Sequence, residues 1–198
     1  MKRIVLSLAM VAALVLSAAA QKKTSPLAGL GGMIFYGIDF SKGRVYGAAD
    51  EPEKLRKAFG DINMLFIMEP EKYDVAKFVG KPMNDIRIDA VTNMNDTIPL
   101  DSIKTVVKGH TLSDTVIAQS VKDLSIVSYE HGMGLVMIME TLNKPAELGT
   151  FAFVLFDIDT RKVISHWKLS GQPGGFGLRN YWARSVYEAL EKVKTYKE

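Results

Sequence analysis

LVMIMETLNKPAELGTFAFVLFDIDTRKVISHWKLSGQPGGFGLRNYW, residues 135–182, is the most regular pattern in the chain. Three runs rich in branched and aromatic residues (135–142, 150–158 and 162–169) are separated by turn-forming residues. Runs of this length and composition read as strands. Asp159-Thr160-Arg161-Lys162 is a hairpin turn between the last two. A helix then runs from about residue 178 to 196, with Leu178, Trp182, Val186, Leu190 and Val193 on one stripe. Strands joined by short loops pair antiparallel, and the helix has to bury its stripe on a sheet face. Extended to the whole chain, this unit predicts an α+β fold. Its sheet is mixed but mostly antiparallel, with helices packed on it and a strand-strand-strand-helix unit at the C-terminus.

Upstream, residues 33–40 (MIFYGIDF) predict a strand with Ile34, Tyr36, Ile38 and Phe40 on one face, and residues 44–46 a short extension. Asp50 or Glu51 can cap a helix that has Pro52 in its first turn. Leu55, Phe59, Ile62 and Phe66 form its apolar stripe. Pro70 ends that helix and opens a second, with Tyr73, Ala76 and either Phe78 or Val79 facing inward. Residues 85–91 (DIRIDAV) alternate strictly, which predicts a half-buried strand with Ile86, Ile88 and Ala90 inside. Residues 93–96 read as a polar turn, and residues 103–107 as either strand or a helical turn. Ser113 is an N-cap for a helix carrying Val116, Ile117, Ser120 or Val121, and Leu124.

The first twenty residues carry a different signal. Lys2 and Arg3 precede an apolar run over residues 4–16, and Ala18-Ala19-Ala20 follows. The run is shorter than the roughly 20 residues that span a bilayer, so it reads as a secretory signal peptide cleaved near Ala20-Gln21. The expected location is the periplasm or the medium, with no transmembrane segment after cleavage. Residues 21–32 read as a flexible lead-in and residues 33–198 as a single domain. The chain has no cysteine, so neither a lipid anchor at the cleavage point nor a disulfide is available. Stability has to come from burial, and a chain of this size buries roughly 70% of its unfolded surface. Without Lys2 and Arg3, 23 basic residues face 22 acidic ones. No basic cluster suits a phosphate backbone, so nucleic acid is not an expected partner.

Gly175-Phe176-Gly177-Leu178-Arg179-Asn180 imitates a dinucleotide fingerprint but ends in Asn. The strand before it is an amphipathic hairpin arm, and no strand follows the helix, so the glycines read as a strand-to-helix hinge. Arg179 is the anomaly, because a cation in a first helical turn opposes the helix dipole. It calls for an internal carboxylate (Asp39, Asp157 or Asp159) or an anionic ligand. If there is a contact site, Asp39, Arg179, Asn180 and Tyr181 are its candidate residues. His131, Met133, Leu135, Met137 and Met139 share one strand face. His131, Met133, Met137 and Met139 could ligate Cu(I), against the plainer reading of methionine as core filler. Asp157 and Asp159 read as turn caps. No GxSxG elbow occurs, His110, His131 and His166 lack metal-ligand spacing, and no cofactor is called for.

Three phrases carry a resemblance: residues 36–41 (YGIDFS), residues 58–63 with 69–74 (AFGDIN, EPEKYD), and residues 175–182 (GFGLRNYW). Together they resemble a family of secreted Gram-negative bacterial proteins of unassigned function. That resemblance implies a single exported domain and supplies no catalytic residue. The hairpin at residues 159–163 and the last helix look similar to the sheet-plus-helix units of periplasmic secretion lipoproteins, although the lipid-bearing cysteine is missing. The expected function is a non-enzymatic binding or assembly module of the envelope, its partner an envelope protein or small ligand. The alternative is a hydrolase-type enzyme whose site lacks a sequence signature.

Overall fold

The computed structural model describes residue 27 and residues 30–193. The signal-peptide reading, most of the lead-in and residues 194–198 lie outside the described residues. The elements are β1 (Met33–Asp39), β2 (Arg44–Tyr46), α1 (Pro52–Met68), α2 (Val75–Val79), β3 (Met83–Ile86), α3 (Asp89–Asp96), α4 (Leu100–Ile103), β4 (Lys104–Thr105), α5 (Asp114–Asp123), β5 (Met133–Asn143), β6 (Leu148–Asp157), β7 (Val163–Gly171) and α6 (Leu178–Glu191). Among the described residues, no helix is long and apolar enough to cross a membrane.

The strands form one seven-stranded sheet organised on β5. Along one edge, β5 pairs in parallel first with β1 and then with β2; along the other it pairs antiparallel with β6. β3 extends the sheet beyond β1, and β4 beyond β2, both in parallel. β7 pairs antiparallel with β6 and so points the same way as β5. Only β6 runs against the rest. This overturns the expectation of a mostly antiparallel α+β sheet: the fold is α/β. The expected strand-strand-strand-helix unit is present as β5, β6, β7 and α6, but its short-loop rule does not extend to the N-terminal half. There, β2 follows β1 after a short turn and continues in the same direction, and helices separate the other strands, so that helical crossovers return the chain in that direction.

Helices cover both faces. The apolar stripe of α1 (Leu55, Phe59, Ile62, Phe66) joins Phe35, Met137, Phe153 and the α6 residues Trp182, Val186 and Leu190 in one cluster. Phe59 stacks on Phe40, and Phe66 packs on Phe35. On the opposite face, Ala90 and Val91 of α3, Ile117 and Val121 of α5, and Leu124 just after it cover Tyr36, Val136, Ile138 and Val154. As expected, the Ser113 side chain caps α5, accepting from the Val116 N–H.

Two local readings are corrected. Residues 85–91 are not one strand, because β3 stops at Ile86 and α3 begins at Asp89, absorbing the expected turn at residues 93–96. Hydrogen bonds from Ala90 N–H to Arg87 C=O and from Val91 N–H to Ile88 C=O start the helix. Ala90 and Val91 are both buried, which a strand with one buried face would not allow. In β1 the alternation breaks. Between Phe35 and Ile38 the strand advances three residues while β5 advances two, a β-bulge with Gly37 at φ 81°. Ile38 and Phe40 therefore join Phe35 in one cluster, while Ile34 and Tyr36 lie in the other.

Asn63 of α1 and Asn95 of α3 hold the bulge. Both donate to the Ile38 carbonyl, at 2.9 and 2.8 Å, while Asn63 Oδ1 accepts from Ile38 N–H and Asn95 Oδ1 from Phe40 N–H. At the far end of the sheet, α6 lies against the backbone of β7. A Cβ on Gly171 would come within 1.9 Å of the Ser185 carbonyl oxygen. Gly171→Ala should therefore destabilise the protein by about 1–3 kcal/mol or more, read as a fall in Tm. Gly60, inside α1 with open space at its Cβ position, should do the reverse. Gly60→Ala is expected to raise stability by ~0.5–1 kcal/mol through helix propensity.

Candidate functional site

β2, β5 and β7 point the same way, and the segments that follow their carboxyl ends converge on the start of α6. Ligands of open α/β sheets gather at such edges. Asp50 follows β2, Lys144 follows β5, and the glycine-rich loop follows β7. The loop is fixed at its base by Gln172 N–H bonded to Glu188 and by Gly174 N–H bonded to the Tyr181 carbonyl. Gly175 and Gly177 take φ values of 96° and 84°, where a side chain is strained and glycine is not. Phe176, held between them, is 96% exposed.

Two clefts flank Gly175. The first, about 320 Å³, is lined by Glu69, Lys72, Tyr73, Arg179, Asn180 and Arg184, among others, between the end of α1 and the side of α6. The second, about 230 Å³, is lined by Asp50, Lys144, Gly177, Leu178, Tyr181 and Trp182. The helix begins without a side-chain cap and with no acidic residue in its first turn. Its first internal bond runs from Tyr181 N–H to the Gly177 carbonyl. The N–H groups of Leu178, Arg179 and Asn180 thus have no intrahelical acceptor. Lys144 Nζ sits 3.3 Å from the centroid of the Tyr181 ring. The hydroxyl of Tyr181 and the indole N–H of Trp182 are both buried, and among the described residues neither has a hydrogen-bond partner.

Of the residues singled out in the sequence, Arg179, Asn180 and Tyr181 meet at this corner and Asp39 does not. Asp39 is fully buried on the α5 side of the sheet, accepting from Ser120 Oγ at 2.5 Å and from Ser41 N–H at 2.7 Å. None of the three aspartates that could have answered Arg179 does so. Asp157 accepts from both the backbone and the hydroxyl of Thr160, and Asp159 from Gly132 N–H and His131. The hydrogen bond from His131 holds the Asp159 carboxyl below its usual range. Arg179 Nε donates to its neighbour Asn180, and among the described residues no carboxylate pairs with it. The methionine row keeps its common face, with Leu135, Met137 and Met139 buried in the main core and Met133 packed against it, while His131 is exposed beside Asp159. Among the described residues, no three His, Cys, Asp or Glu side chains are grouped to hold a metal ion.

Sequence reasoning missed Asp50, Lys72, Lys144 and Arg184. Each is an ordinary surface residue in its own segment, and only the packing of α6 against α1 and the β5–β6 turn brings them together. Compared with models of protein families, with curated proteins and with solved structures, the chain matches none.

Burial pushes the Tyr73 phenol up to about 12, Glu69 adds to the rise, and Arg179 and Arg184 oppose it. A raised phenol contributes stability that is fully present below its unfolded value near 10 and lost as pH rises through about 12. Denaturation measured across that window should show the wild-type protein losing stability faster than Tyr73→Phe. Identical slopes would mean that Tyr73 is not shielded in the cleft wall.

Proposed function

We propose that this protein is an exported, non-enzymatic binding module of the bacterial envelope, meeting its partner at the corner between the glycine-rich loop and α6. Support for export comes from Lys2 and Arg3, the apolar run over residues 4–16 and the small residues at 18–20. The likeness of residues 36–41, 58–63, 69–74 and 175–182 to a family of secreted Gram-negative proteins points the same way. The observation that carries the binding reading is Arg179. It lines a cleft of about 320 Å³ with Lys72 and Arg184 and has no carboxylate partner among the described residues. An unpaired guanidinium beside an exposed aromatic is the pairing that protein interfaces enrich. Lys72 pairs with Glu69 and Arg184 with Glu188, which leaves Arg179 as the cation in this lining without a carboxylate among the described residues, and that favours an acidic group on the partner.

The hydrolase alternative would need a histidine and a carboxylate in a polar cleft. The His131–Asp159 and His166–Asp114 pairs line neither of the two clefts at this corner, so no observation favours that reading.

The test is photo-crosslinking in intact cells. A photoreactive phenylalanine at position 176 should capture a discrete partner. The same group at Val106, which is 94% exposed and outside both clefts, should not. Arg179→Ala should abolish the adduct while changing stability by no more than ~0.5 kcal/mol. An adduct that survives Arg179→Ala in a normally folded protein would remove this corner from consideration.

A further inference from the structure

The larger cleft holds two unmatched polar groups beside an apolar wall. Its other cations are matched, Lys72 by Glu69 at 3.5 Å and Arg184 by Glu188 at 2.9 Å. Arg179 uses its Nε–H on Asn180, and among the described residues its two terminal nitrogens have no acceptor. The second group is the Tyr73 hydroxyl. Tyr73 is 1% exposed, lines the cleft, and has its ring packed edge-on against Phe66 and Tyr187. Its hydroxyl has no hydrogen-bond partner among the described residues. The Tyr181 hydroxyl and the Trp182 indole are sealed from solvent, whereas the Tyr73 hydroxyl is not, so a bound atom can reach it. Arg179 lies close enough to Tyr73 to oppose the upward push on its phenol. A guanidinium and a phenol on one cleft both donate, and together they suit the paired oxygens of a carboxylate. Leu65, Phe176 and Tyr187 form the apolar part of the wall.

The occupant that matches this wall carries a carboxylate and an apolar group side by side. Asp and Glu end in a carboxylate but place no apolar group next to it. The last residue of a polypeptide has both on one carbon. A free amino acid would add an ammonium beside Arg179, and a peptide bond removes that charge. The volume of about 320 Å³ lies at the low end of ligand-sized clefts, which is room for a terminal residue and little more. We propose that this cleft receives the C-terminal residue of a partner polypeptide, an apolar or aromatic one. Its α-carboxylate meets Arg179 and the Tyr73 hydroxyl, and its side chain lies against Leu65, Phe176 and Tyr187. The proposal rests on this corner being the partner-binding end of the molecule, and it adds which part of the partner enters.

The probes are acetyl-Gly-Gly-Phe and acetyl-Gly-Gly-Ser, each as the free acid and as the C-terminal amide, together with phenylacetate. Each is titrated into the full-length protein after export, and the backbone amide signals of Gly175 and Phe176 in a nitrogen–proton NMR spectrum report binding at the cleft. The Phe-ended acid should shift both signals with saturation. Its amide should bind at least tenfold more weakly, and the Ser-ended acid about fivefold more weakly. Arg179→Gln should weaken the Phe-ended acid about tenfold, corresponding to about 1.4 kcal/mol, and leave the amide unchanged. Tyr73→Phe, which keeps the ring and its packing, should weaken the acid about fivefold. Acid and amide binding alike, no saturating shift with any peptide, or affinities indifferent to both substitutions in folded protein would each overturn the proposal. Phenylacetate binding as tightly as the Phe-ended acid would overturn it in favour of a free small acid. If the peptides fail while Arg179→Ala still abolishes the crosslink at position 176, the terminal-carboxylate site falls alone. If the crosslink is also indifferent to Arg179, the reading of the whole corner falls with it.

Discussion

The Ile38 carbonyl, held from both faces of the sheet by two buried asparagines, is the contact on which the rest of the fold depends. β1 leaves its register with β5 at Gly37, and a strand that loses its register loses ladder hydrogen bonds with it. Asn63 from α1 and Asn95 from α3 replace them with four side-chain bonds to Ile38 and Phe40. Because the two asparagines arrive from different helices, the bulge also fixes where those helices sit against the strand. A Cβ on Gly37 would come within 2.8 Å of Asn63 Oδ1, so the glycine that allows the bulge also makes room for its clamp. Downstream of the clamp the phase of β1 is reversed. That places Phe40 against Phe59 in the main core and turns Asp39 toward Ser120 on the α5 side.

The clamp also explains which parts of the fold could be read in the sequence. The C-terminal meander and α6 are encoded by local pattern. Alternation, a compact hairpin turn and a stripe at 3.6-residue spacing all act over a few residues, and the strands β5, β6 and β7 lie within one or two residues of the expected boundaries. Strand direction in the N-terminal half is not local information. The same alternating run serves a parallel or an antiparallel neighbour, and the choice lies in the length and helicity of the connection. Asp85-Ile86-Arg87-Ile88-Asp89-Ala90-Val91 shows the limit. Its alternation is real, but Ala90 and Val91 both bury against the same face of the sheet, which adjacent residues of a helix can do and adjacent residues of a strand cannot.

The candidate site divides along the same line. Arg179 stood out because its charge opposes the local helix dipole, a conflict visible in a single turn of sequence. Asp39 stood out by type alone, and the structure gives it an internal role with Ser120. Lys72, Arg184 and the Tyr73 hydroxyl acquire meaning only through contacts between distant segments. No pattern within any one of those segments marks them.

The position of β5 has a consequence for the order in which the chain can take shape. β1 can find β3, and β2 can find β4, as soon as residue 105 has been made, but nothing yet joins the two pairs. The strand that joins them begins at Met133. From there to the end of the described chain, β5, β6, β7 and α6 also contact one another in sequence through short connections, and such contacts assemble faster than pairings across long crossovers. A chain made from its N-terminus therefore presents its slow half first and its fast half last. The first half waits, with Phe35, Phe59 and Phe66 uncovered, for a template that arrives only once most of the chain has appeared. A chaperone that shields apolar segments would be needed most over that interval, and it would have little left to hold once β5, β6 and β7 had closed.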